Sequence, residues 1–135
     1  MSSQLTWYLE NRVILVANEG MISDQDMLSV DQPIADYMNQ SKAPLVHLIV
    51  DNTSAIYAPS VKTVTQAKFP KHPQCGWVLL VGPTNTFTRF VNAVVTNVFK
   101  TRNRMFNTRA EALDFLNEVD STLPPLRDHT ITRAS

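Results

Sequence analysis

Apolar and polar positions alternate at the start of the chain, where Leu5, Trp7 and Leu9 stand between Thr6, Tyr8 and Glu10. That period of two predicts a half-buried strand. Asn11 and Arg12 interrupt it, and residues 13–17, Val-Ile-Leu-Val-Ala, read as a second, more buried strand, so the two predict a hairpin with the first strand at a sheet edge. Gly20 is free to take a positive φ and ends the second strand. Ser23 followed by Asp26 makes a capping-box-like start, and from about Asp24 the spacing of Met27, Val30, Ile34 and Met38 predicts a helix. Pro33 lacks a donor and clashes with the preceding turn, so a kink or short break is expected there. Ala43-Pro44 favours extended backbone and predicts the helix end by Ser41.

Residues 45–51, Leu-Val-His-Leu-Ile-Val-Asp, are apolar on successive rather than alternate positions. This suits a strand covered on both faces, as in a parallel sheet between helices. Asn52 opens a polar loop, and Pro59-Ser60 predicts the start of a short helix carrying Val61, Val64 and Ala67, closed by Phe69-Pro70-Lys71-His72-Pro73. Residues 77–81 form the next apolar run, ended by Gly82-Pro83-Thr84-Asn85. Phe87, Phe90, Val91, Val94, Val95 and Val98 then keep the helical period. Met105-Phe106 predicts a short edge strand, and Thr108 with Glu111 a capping box for a last helix whose Ala112, Leu113, Leu116 and Val119 face inward. The chain from Leu123-Pro124-Pro125 onward is expected to fray.

This order implies a single α/β domain over residues 1–123, with 124–135 as a flexible C-terminal tail. The expected architecture is a mixed, mostly parallel sheet of four or five strands with about four helices, the strands at Val13, Val46 and Trp77 running parallel at its centre. The 135 residues are enough for one well-buried core, and 12 basic against 12 acidic side chains give no global attraction to nucleic acid or anionic lipid. No apolar stretch approaches the roughly 18 residues of a membrane span. The lone Cys75 has no partner for a disulfide within the chain. The expectation is a cytoplasmic protein without a membrane span.

Candidate chemistry gathers where the parallel strands would end, the edge at which open α/β sheets hold ligands. Asp51 suits an Asx turn that orients the loop after it, or a ligand contact; Asn52 lies beside it. Ser60 reads as an N-cap or a phosphosite. Thr84 and Asn85 would cap the Phe87 helix, whose free N–H groups suit an anion. His47 reads as a buried structural histidine, and His72 and His129 complete no metal-ligand spacing with it or with Cys75, so neither metal nor cofactor is expected. Cys75 reads as a packed thiol. Lys100, Arg102, Arg104 and Arg109 form a local basic cluster around Phe99 and Phe106, read as a solvated helix end. No acid, base and nucleophile set is complete.

The opening hairpin, the turn at Gly20 before a helix, the strand at 46–51, the loop to a Ser-initiated helix, the strand at 77–82, and Arg104-Met105-Phe106-Asn107-Thr108 followed by Ala112-Leu113-Asp114-Phe115-Leu116 together form a pattern. Over roughly residues 5–120 it resembles the STAS-type fold of bacterial anti-sigma-factor antagonists and their uncharacterised relatives. That family carries Asp-Ser-Ser-Gly, with a serine phosphorylated by the partner kinase, at the start of the helix after the central strand. This chain has Ala58-Pro59-Ser60-Val61 there, keeping one serine by position. The resemblance implies a bacterial, non-catalytic regulatory or binding module, acting on a protein partner or a small anionic or apolar ligand, with homo-oligomerisation open. Asp51, Asn52, Ser60, Thr84 and Asn85 are its expected contact residues. The alternatives are a small hydrolase or transferase using Ser60 or Cys75, and a lipid-binding domain.

Overall fold

The computed structural model describes residues 2–20, 23–55, 66, 68–82 and 102–127. Five strands form one sheet in the order β1 (Ser2–Leu9), β2 (Val13–Gly20), β3 (Val46–Ala55), β4 (Cys75–Val81) and β5 (Asn103–Phe106). The first pair is antiparallel and the three others are parallel, as the apolar pattern predicts. The hairpin turns through Asn11, whose φ of 69° is a left-handed conformation that asparagine tolerates better than most residues. Gly20 takes the same φ at the end of β2.

Helix α1 (Asp24–Gln40) begins at the Ser23 capping box and α2 (Arg109–Val119) at the Thr108 capping box, both at the expected residues. Two apolar clusters lie on opposite faces of the sheet, and β2 alternates between them. Val13 and Leu15 join Ile49, Leu79, Ala112, Leu113 and Leu116 beneath α2. Ile14 and Val16 join Ile34, Met38, Val46, Leu48 and Val78 beneath α1. Burial of each such side chain contributes about 1.5–3 kcal/mol, which is why β2 and β3 read as continuous apolar runs.

Four expectations change. Helix α1 runs through Pro33 without a break. The lost hydrogen bond and ring clash cost about 3 kcal/mol, and the complete burial of Ile34 and Met38 on either side of the next turn offsets that. Strand β3 continues to Ala55 instead of giving way to a loop at Asn52, because β2 runs alongside it to the pairing of Gly20 with Ala55 and supplies backbone partners. Val119 is exposed at the end of α2, not inward. The packed chain also extends past Leu123: Leu123 and Leu126 are both buried in the cluster beneath α2. Tyr8 Oη donates to the Leu126 carbonyl at 2.7 Å, and Asn117 holds the segment from both sides, Nδ2 donating to the Pro124 carbonyl and Oδ1 accepting from Leu126 N–H. The helices expected from Ser60 and Phe87 lie outside the described residues.

The buried strap makes a direct prediction. Leu126→Ala is expected to cost about 2–4 kcal/mol in urea denaturation, the range for deleting a buried leucine side chain. A change within 0.5 kcal/mol, as for a surface position, would mean that the strap does not pack.

Candidate functional site

The carboxyl ends of β2 and β3 open into a cleft of about 530 Å³, closed on its far side by the start of α2. Asn18 and Glu19 reach it from β2, Asp51, Thr53 and Ser54 from β3, and Thr108 and Arg109 from the helix start. This is the edge the strand pattern singles out. It forms because β2 and β3 run on together to Gly20 and Ala55 while β5 stops at Phe106, level with Asp51. Helix α2 thus begins beside the middle of β3 and leaves the last residues of β2 and β3 to form one wall.

Asp51 is the electrostatic centre of the cleft. Its Oδ1 accepts from Thr53 N–H at 2.9 Å and from Thr53 Oγ1 at 2.6 Å, the expected Asx-type turn. Its Oδ2 accepts from Arg109 Nε at 3.1 Å and Nη2 at 2.8 Å. Burial alone would raise the carboxyl, but the bonds from Thr53 and Arg109 outweigh it and hold its pKa below the usual carboxylate value. Arg109 therefore leaves the basic cluster in which its sequence neighbours place it. Arg104 is also spent elsewhere, its guanidinium lying 5.6 Å from the Phe106 ring centroid and 4.9 Å from that of Phe115.

Asn52 does not join Asp51 in the cleft. The strand's period of two sends it to the opposite face, where it is buried and its Oδ1 accepts from Asn18 Nδ2 at 2.6 Å. Ser3 Oγ donates in turn to Asn18 Oδ1 at 2.6 Å, so the three polar side chains tie β1, β2 and β3 together. Ser60, Thr84 and Asn85 lie outside the described residues. Sequence reasoning passed over Thr53, Ser54 and the pairing of Arg109 with Asp51. Two signals were present: Thr53 two positions after Asp51, and an arginine at the first position of a helix that starts beside the strand ends.

The other candidate groups are engaged structurally. His47 is buried; its Nδ1 accepts from Trp77 N–H at 3.0 Å and its Nε2 lies 2.8 Å from Asp120 Oδ2. His72 Nδ1 accepts from Gln74 N–H and its Nε2 meets Asn39 Oδ1. Neither ring has a nitrogen left to activate Cys75, whose thiol burial pushes up to about 11. An activated thiolate needs the opposite shift. Among the described residues no group of three or more His, Cys, Asp or Glu side chains stands close enough to hold a metal ion, and no helix among them is long and apolar enough to cross a membrane.

Removing Arg109 tests the charge arrangement. Arg109→Ala is expected to cost about 1 kcal/mol at neutral pH, the upper range for a partly exposed pair. Because the Asp51 pKa is depressed in the folded state, this contribution is complete above the ordinary carboxylate range and is lost as pH falls through the folded value. Urea denaturation of both proteins should converge as pH falls below the ordinary carboxylate range; a gap independent of pH would assign the loss to packing instead.

No family model matches the chain, nor does any curated protein. Two of the solved structures that share its fold are the following. One is an uncharacterised protein of the DUF3478 family with a SpoIIAA-like fold from Shewanella loihica PV-4, at 12% identity and TM-score 0.61, covering 85% of this chain and 92% of that one. The other is the Bacillus cell fate determinant SpoIIAA in its phosphorylated form, at 14% identity and TM-score 0.57, covering 85% of this chain and 99% of that one. The fold is SpoIIAA-like, the STAS-type architecture that the order of elements resembles.

Proposed function

We propose that this chain is a non-catalytic regulatory module of the anti-sigma-factor-antagonist type, which docks a protein partner on the sheet edge formed by the ends of β2 and β3 and the start of α2. The observation that carries this reading is the cleft itself, in which Thr53, Ser54 and Glu19 present polar groups from strands whose apolar residues are locked on both faces. Hydrogen-bonding side chains on a rigid frame suit recognition. Ser60 follows the end of β3 by five residues in the sequence, and a phosphate on it, with a charge of about −2, would be the regulatory input to docking. SpoIIAA carries such a modification in its phosphorylated form. The engaged ring nitrogens of His47 and His72 and the raised Cys75 thiol weigh against the hydrolase alternative.

Two outcomes are expected. Purified protein should turn over a simple ester no faster than buffer, with Ser60→Ala and Cys75→Ala unchanged from it; robust turnover abolished by either substitution would overturn the non-catalytic reading. Affinity capture in the native host should recover a protein partner with the unaltered chain and with Arg102→Ala, but not with Ser54→Arg, which fills the cleft. Retention by Ser54→Arg and loss with Arg102→Ala would move the docking surface to the β5 edge.

A further inference from the structure

His47 occupies an irregular point in the sheet at the end opposite the cleft. The β3–β4 ladder pairs Val46 with Cys75 but Leu48 with Val78, so one residue of β3 faces two of β4, Gly76 and Trp77. This is a bulge, and a bulge ordinarily leaves a backbone group unpaired. Ahead of the bulge Val46 N–H donates to the Gln74 carbonyl, and after it Val78 N–H turns the other way, to the Arg102 carbonyl beside β5. Trp77 N–H between them goes to the His47 ring, whose Nδ1 stands in for the missing carbonyl at 3.0 Å.

That bond fixes the proton on the ring. Nδ1 must be bare to accept, so the neutral ring carries its proton on Nε2 and donates it to Asp120 Oδ2 at 2.8 Å. Asp120 caps the end of α2 and also accepts from Arg12 Nη2 at 3.2 Å, while Arg12 Nη2 donates to Thr122 Oγ1 at 2.6 Å. One imidazole thus joins β3, β4, the end of α2 and, through Asp120, the β1–β2 turn. The ring fills the space that glycine leaves open: a Cβ on Gly76 would lie 2.5 Å from Nδ1 and 2.8 Å from Cε1.

A second proton on this ring would set N–H against the Trp77 N–H, two donors face to face in a buried site. The surrounding charges are Asp120 at the end of α2, Arg12 in the β1–β2 turn and Arg102 ahead of β5, with the Cys75 thiol on β4 nearby. Asp120 favours the second proton; burial and the two arginines oppose it. The carboxylate stabilises the charged ring from the Nε2 side, while protonated Nδ1 meets the Trp77 N–H and loses that bond.

We propose that His47 is a proton-operated latch: a second proton breaks the bond from Trp77 N–H, and the charged ring escapes burial together with its Asp120 partner, so that the end of α2 and the 120–126 strap leave the sheet while the β2–β3 centre stays folded. This is independent of what the cleft binds. The direction follows from the depressed His47 pKa, since a site that takes a proton less readily when folded loses stability as pH falls from the ordinary histidine value toward the folded one.

Amide hydrogen exchange on the full ¹⁵N-labelled chain at pH near 7.5 and about 5, corrected for intrinsic exchange, reads the latch directly. The Trp77, Asp120, Leu123 and Leu126 amides should lose about tenfold in protection at the lower pH, while Val16 and Ile49 keep theirs. His47→Asn, whose carboxamide oxygen can accept from Trp77 but cannot titrate, should remove the difference. Asp120→Asn keeps an acceptor for Nε2 but removes the charge that favours the second proton in the closed state, so the loss of Trp77 protection between the two pH values should shift to a larger factor than in the unaltered chain; it decides the matter if His47→Asn does not fold. Equal Trp77 protection at both pH values in the unaltered chain, opening of His47→Asn in parallel with it, no shift in Asp120→Asn, or simultaneous loss at Val16 and Ile49 would each overturn the latch.

Discussion

Burial of β3 on both faces is the constraint on which the structure depends. Val46, Leu48 and Ile49 have no exposed surface, with β2 and β4 hydrogen-bonded on either side and an apolar cluster above and below. A strand enclosed in this way cannot slip by one residue, because a slip would exchange every side chain between the two clusters. Its direction therefore fixes what lies at each end. Asp51 leaves the core at the carboxyl end toward α2, and His47 enters it near the amino end against Gly76 and Asp120. Helix α2 touches both, through Arg109 at its first residue and Asp120 at its cap.

Much of this frame was legible in the residues because burial writes a simple pattern. Successive apolar positions at 46–50 signal two-faced burial, and Leu5, Trp7 and Leu9 signal a one-faced edge. The capping boxes at Ser23 and Thr108 are local chemistry, complete within four residues, and both helices begin where those boxes require. Pro33 misled because its penalty is also local, whereas the burial of Ile34 and Met38 that offsets it is set by distant strands. The strap at 120–126 was hidden for a similar reason. Two prolines read as a break in regular structure, which they are, yet irregular chain packs well when a tyrosine at the other end of the sequence and an asparagine of the preceding helix satisfy its backbone.

The candidate site was legible as a place and less so as a set of residues. Parallel strands ending together predict a functional edge, and the cleft is there. Which side chains face into it depends on strand phase: Asp51 and Thr53 point one way and Asn52 the other. Arg109 was grouped with Lys100, Arg102 and Arg104 by nearness in sequence, but a helix beginning beside β3 brings it to Asp51, a bond across 58 residues. The bulge at His47 left no trace in the hydrophobic period, since an extra residue on β4 falls at Gly76, which contributes nothing to an apolar pattern.

The central claim is that the ends of β2 and β3 with the start of α2 form the docking surface. Chemical-shift mapping of the ¹⁵N-labelled chain as its captured partner is added tests this residue by residue. The account predicts that the perturbed amides cluster at 18–19, 51–54 and 107–109, with 102–105 and Phe115 little changed. Perturbations centred on Arg102, Arg104 and Phe115, with Asp51 and Thr53 silent, would contradict it.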